Sequence, residues 1–157
     1  MESALAAGSS QRELTNMTKA SFYELIDHTA DFGLHIFGDT AKDLFRNAAM
    51  ALMDQLVETA DLLAREEKRI TLEGSDWPDL MVNWLREILY LWAGEETFVR
   101  SVQIESLSEN SLTAHLWMDP FSSERHKLKL EIKAVTYHQV RVFDAGNRWE
   151  AKIIFDT

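Results

Sequence analysis

Two stretches of helical periodicity precede a strand-rich final third, and this order constrains the chain more than any other feature. Strict strand–helix alternation specifies a wound parallel sheet. Helices early and strands late specify instead a single compact α+β domain, two helices packed on a mostly antiparallel β-sheet. The first helix follows Thr40, with Asp43 three residues on as a capping signal and apolar side chains at Leu44, Phe45, Ala48, Ala49, Leu52, Leu56 and Val57. The second opens at Gly74–Ser75–Asp76–Trp77–Pro78, with proline near its first position, and stops at Gly94. Its apolar residues run almost all round, so it is expected to lie deeper than the first. Ahead of both, FYELIDHTADFGLHIFGD places short apolar runs on either side of a polar turn at Asp27 to Asp31, and Arg69 to Leu72 reads as a further strand. After Gly94, Phe98–Leu107 and Leu112–Met118 surround Ser108–Glu109–Asn110. Lys127–Tyr137 and Trp149–Phe155 surround Asp144–Ala145–Gly146–Asn147, and antiparallel pairing is the economical reading.

Composition narrows the function. Sixteen basic against 26 acidic side chains give a formal charge of −10, a field that repels phosphates, so extended nucleic-acid binding is disfavoured. The chain has no cysteine, which removes disulfides, thiolate metal sites and cysteine nucleophiles and suits a reducing compartment; a cytoplasmic address is expected. No apolar stretch reaches the roughly 18 residues of a membrane span. The richest, Leu80 to Trp92, is interrupted by Asn83, Arg86 and Glu87. The opening residues have neither the basic start nor the apolar run of a signal peptide. Residues 1–19 read as a flexible extension, with Met17 as an alternative start, and 20–157 as the folded domain.

Three polar clusters stand out. Asp27–His28–Thr29–Ala30–Asp31 sits between apolar strands, and its carboxylate and carbonyl oxygens suit Ca²⁺, Mg²⁺ or Mn²⁺ better than zinc. The same aspartates are also ordinary turn-closing residues. In the run from His126 to His138, strand alternation places Lys127, Lys129, Glu131 and Lys133 on one face, and Leu128, Leu130 and Ile132 on the other. Such a basic face meets a phosphate or an acidic surface, or is simply solvated. The last cluster, Ile153–Ile154–Phe155–Asp156–Thr157, is an apolar strand that holds Asp156 in place. No phosphate loop, GxGxxG, GxSxG elbow, HExxH or EF-hand loop is present.

In this order and at these positions, YELIDHTADFGLHIFGDT (23–40), EIKAVTYH (131–138) and the closing IIFDT resemble the archease family. The resemblance covers Phe22 to Thr157. It implies a compact α+β accessory protein, not an enzyme, that activates an RtcB-type RNA ligase by promoting its guanylylation and multiple turnover in tRNA splicing or RNA repair. It also implies a divalent metal, calcium first, held by Asp31, Asp156 and a main-chain or terminal oxygen of Thr157. Threonine departs mildly from the family's aliphatic end. Lys133 matches the lysine of the family's central motif and is the candidate contact for nucleotide or ligase. Glu131, His138, His126 and His28 are further candidates, of which Glu131, His126 and His138 equally suit structural hydrogen bonds. Two other function classes stay open: a metal-dependent phosphohydrolase using Asp31 and Asp156, and a chaperone or modulator of RNA-modifying enzymes.

Overall fold

The structure, a computed structural model, describes residues 22–27 and 31–157. The expected extension, residues 1–19, lies outside them. In chain order the described elements are β1 (Tyr23–Asp27), β2 (Phe32–Gly38), α1 (Ala41–Leu56), β3 (Glu66–Glu73), α2 (Trp77–Ala93), β4 (Thr97–Ser108), β5 (Ser111–Pro120), β6 (Ala134–Val135), β7 (Arg141–Asp144) and β8 (Trp149–Asp156). The α+β class holds, with the strands divided between two antiparallel sheets. One runs β1-β2-β8-β6, with β7 also on β8; the other runs β3-β5-β4. β8 therefore lies inside its sheet, flanked by β2 on one edge and by β6 and β7 on the other.

Local chemistry starts and stops the helices where the sequence marks them. The Thr40 hydroxyl accepts the Asp43 N–H at 3.1 Å, and Asp43 in turn pairs with Arg46 at 3.0 Å. Gly38, just before this cap, is required: a Cβ there would stand 2.3 Å from the Leu44 nitrogen. Asp76 caps α2 by accepting the Asp79 N–H at 2.9 Å, and Pro78 occupies the first turn. At the other end the Gly94 N–H donates to the Tyr90 carbonyl.

Both helices pack against strands of both sheets, so one continuous core joins the two layers. The expectation that α2 lies deeper is not met. α1 is buried between β2 and β4, and Ala48, Ala49 and Ala51 are fully enclosed along with Leu44, Phe45, Leu52 and Met53. Alanine scores low as an apolar residue, yet its small side chain lets strands approach from two sides. α2 exposes Arg86 and Tyr90 much as α1 exposes Lys42 and Arg46, so the two helices are buried to a similar depth. The Trp84 indole N–H donates to the Phe45 carbonyl at 2.8 Å and fixes the helices to each other.

The second departure is the lysine-rich run. Only Ala134–Val135 within it is strand, and the hairpin partner of β8 is β7, closed through Asp144 to Arg148. Residues 127–130 instead line the C-terminal end of α1. Glu58 N–H donates to the Lys127 carbonyl, Lys129 N–H to Leu56 and Leu130 N–H to Gln55, each at 2.9 Å. The last two bonds satisfy orphan carbonyls of the helix, and the first two make a single antiparallel bridge between Val57 and Leu128 rather than an extended ladder. The supposed core face consequently fails, because Leu128 and Leu130 are 49% and 39% exposed and only Ile132 is buried.

Candidate functional site

Strand register decides which of the candidate residues meet. β2 and β8 pair down to Phe32 opposite Phe155, whose rings lie 6.0 Å apart in the core wall. The next residues outward on these strands are Asp31 and Asp156. β6 arrives on the far edge of β8 with Ala134 opposite Asp156, and the Lys133 N–H donates to the Asp156 carbonyl at 2.7 Å. Thr136 secures the same corner: its N–H and its hydroxyl both donate to the Ile154 carbonyl at 3.0 Å. Asp31, Lys133, Asp156 and Thr157 thus share one end of the five-stranded sheet, with the last three exposed.

Two carboxylates on neighbouring strands repel each other unless a cation or donor stands between them. Carboxylate and main-chain oxygens are the donors that hard divalent cations take, so the described residues fit calcium or magnesium chemistry better than zinc. Among the described residues no group of three histidine, cysteine, aspartate or glutamate side chains is placed to hold a metal. The described donors are therefore two carboxylates with main-chain oxygens. His28 lies outside the described residues.

The remaining candidates are elsewhere. Glu131 is exposed on the wall of a groove of about 420 Å³ between the ends of α1 and α2, beside Trp92, Leu128 and Leu130. His138 is exposed beyond β6, its backbone N–H on the Thr136 hydroxyl. His126 is fully buried, which removes it from any surface contact. Its Nδ1 accepts the Ser122 N–H at 2.9 Å, so the proton sits on Nε2 and is donated to Asp119 at 2.9 Å. Asp119 also takes both guanidinium nitrogens of Arg125 and the Leu63 N–H, each at 2.9 Å. Burial alone would raise this carboxyl, but the bonds from Arg125, Leu63 and His126 outweigh it and hold it well below the usual carboxylate range. The cluster ties the loop after β5 to the start of β3 and is structural.

Composition and motif reading passed over the outer face of the five-stranded sheet. There His35 Nε2 meets Glu150 at 2.8 Å, Arg148 donates to the same carboxylate at 3.1 Å, and the Arg148 guanidinium stacks 3.8 Å over Phe37. The alternation of Glu150 and Lys152 along β8 is the signal that marks this face.

Set against known proteins, the chain matches the model of the Archease protein family (MTH1598/TM1083) over residues 23–157. It belongs to the archease family. The archease match starts at the first residue of β1 and takes in Asp31, Lys133, Asp156 and Thr157. Protein archease of Methanosarcina mazei is 32% identical over 138 residues, covering 85% of this chain and 94% of that protein. The Archaeoglobus fulgidus archease is 33% identical over 136 residues, covering 85% and 98%. Among solved structures, Protein 1598 of Methanobacterium thermoautotrophicum superposes with a TM-score of 0.72 at 28% identity, covering 87% of this chain and 99% of that one. An archease from Thermotoga maritima, at 21% identity and a TM-score of 0.58, shares the fold over 85% of this chain and 96% of its own.

Proposed function

We propose that this archease-family protein is an accessory factor that activates an RtcB-type RNA ligase, promoting ligase guanylylation and multiple turnover in tRNA splicing or RNA repair. The observation that supports this reading is the convergence of Asp31, Lys133 and Asp156 at one end of a sheet that two helices hold rigid. In this reading Asp31, Asp156 and an oxygen of Thr157 hold a divalent cation, calcium first, with magnesium or manganese as alternatives. When bound, such an ion neutralises the paired carboxylates and presents positive charge towards a partner. Lys133 reaches the nucleotide or the ligase from beside it. The protein's own residues position and bind; among the described residues no nucleophile with an adjacent base stands at this corner, and in this reading turnover belongs to the ligase. The charge of −10 favours a basic groove on the ligase over free RNA, and both proteins work in the cytoplasm.

The experiment mixes ligase, GTP, metal and broken RNA, with ligase at catalytic concentration, with and without this protein. The expected result is multiple turnover only in its presence and no GTP hydrolysis by this chain alone. Ligase turnover indifferent to the addition sinks the proposal. GTP hydrolysis by this chain that disappears in Asp31→Ala replaces it with a phosphohydrolase. A chaperone role is the second reading. The Thermotoga maritima archease is described as a "possible chaperone", and the groove beside Leu128 and Leu130 offers an exposed apolar surface here. Suppression of partner aggregation that is lost in Leu128→Ser, with ligase turnover unaffected, supports that reading instead.

A further inference from the structure

The outer face of the five-stranded sheet carries a cross-strand row that is costly to maintain. Strand register sets Glu24 of β1, His35 of β2, Lys152 of β8 and Arg141 of β7 side by side. Lys152 and Arg141 are directly opposite, an arrangement that destabilises a sheet. The carboxylate of the row, Glu24, stands two strands away from Lys152. Glu150, the nearest acid on β8, is engaged by His35 and Arg148, and no described residue forms an ion pair with Lys152 or Arg141. The Arg141 guanidinium instead rests 4.7 Å over its strand neighbour Phe143.

The neighbouring row is apolar. Ile26, Gly33 and Ile154 lie side by side, and the Ile26 and Ile154 side chains approach within 3.0 Å of where a Gly33 Cβ would stand, closing into a flat floor. Floor and charged row together line a groove of about 630 Å³, with Glu24 also on its wall and Gln139 and Val140 on its far side. That volume is of the size that receives a small organic ligand.

The geometry points to a binding site for a small organic anion: a flat aromatic body on the Ile26–Gly33–Ile154 floor, with its phosphate or carboxylate on Lys152 and Arg141. The exposed Arg141 and half-buried Lys152 at the rim give charge-assisted hydrogen bonds to such a group, and the floor covers its ring. The site is separate from the paired aspartates. Asp156 lies four residues beyond Lys152 on the same strand, roughly 13 Å away along it. It neither needs a metal nor rests on the ligase reading.

The test titrates the full chain, in chelator, with 1-naphthyl phosphate, 1-naphthol and inorganic phosphate, followed by calorimetry and by backbone amide shifts. Naphthyl phosphate is expected to bind about tenfold more tightly than either fragment, shifting the amides of Gly33, Lys152 and Ile154. Arg141→Ala and Lys152→Ala should each weaken it by about tenfold while leaving the melting temperature unchanged or raised, since each removes one member of a repelling pair. Binding no tighter than a fragment, binding indifferent to both substitutions, or shifts confined to another surface overturns the proposal. So does binding that appears only with calcium, because the phosphate would then sit at Asp31 and Asp156.

Discussion

Lys133 and Asp156 are joined through their backbones, the Lys133 N–H donating to the Asp156 carbonyl at 2.7 Å. The lysine of the central motif and the aspartate of the closing strand are thereby one unit, and substituting either side chain leaves that bond in place. Side-chain chemistry at this corner is accordingly separable from folding.

For the metal, calcium in excess should raise the melting temperature of the wild type, and chelator should reverse the rise. An ion at a hundred times its dissociation constant adds about 2.7 kcal/mol. Asp31→Asn and Asp156→Asn should abolish the calcium-dependent part. Equal melting of wild type and Asp31→Asn with and without calcium removes the site.

Lys133→Ala should leave stability within about 0.5 kcal/mol of wild type, because the side chain is exposed and its backbone bond persists. Ligase activation is the property it should lose. Full activation by this variant takes Lys133 out of the contact, and a large drop in melting temperature returns it to a structural part.

Asp119→Ala should cost about 3–5 kcal/mol, because it strands a buried histidine N–H and the Leu63 N–H and removes the partner of Arg125. Chemical denaturation measures it. Activation per folded molecule should be unchanged, since the cluster lies on the loop after β5 and not at the paired aspartates. A loss below 1 kcal/mol means the cluster does not anchor that loop.

Acid should unfold the protein partly through the same carboxylate. Asp119 is depressed in the folded state and returns to an ordinary value of 3.8 when unfolded, and Glu150 is lowered from 4.5 in the same sense by His35 and Arg148 once their bonds outweigh burial. The unfolded chain then binds more protons, so stability rises with pH across this range. The contribution is complete above these ordinary values and is lost as pH falls below them. Melting temperature followed from pH 6 downward, a window set about the reference carboxylate values, should fall less steeply for Asp119→Asn than for wild type. Parallel slopes mean that Asp119 is not depressed.

Both helices were legible in residues that act locally: Thr40 with Asp43, Asp76 with Pro78, and Gly94. The hairpin at Ser108–Ser111 and the docked strand ending at Asp156 were legible for the same reason. The stretch from Lys127 to Lys133 was not, because alternation of lysine and leucine records spacing and says nothing about which carbonyls accept the backbone N–H groups. Here Lys129 and Leu130 donate to the last turn of α1 and Lys133 to Asp156. The grouping of Asp31 with Asp156 followed from resemblance, and its geometry only from the register of β2 on β8. Of the Lys152–Arg141 row the sequence carries only the alternation of Glu150 and Lys152 along β8, since the members of the row meet across four strands.

The interior position of β8 imposes an order on synthesis. It is the last of the eight described strands to leave the ribosome, yet β2, β6 and β7 all take their hydrogen bonds from it. The sheet of β3, β4 and β5 can close on a nascent chain, whereas β2, paired with β1 on one edge, must wait for its second partner, encoded more than a hundred residues later. Until then the edge of β2 that β8 covers is open, and long-range closure of this kind is slow. The juxtaposition of Asp31 with Asp156 therefore marks completion of translation through residue 156: no shorter nascent chain can present the paired carboxylates to a partner.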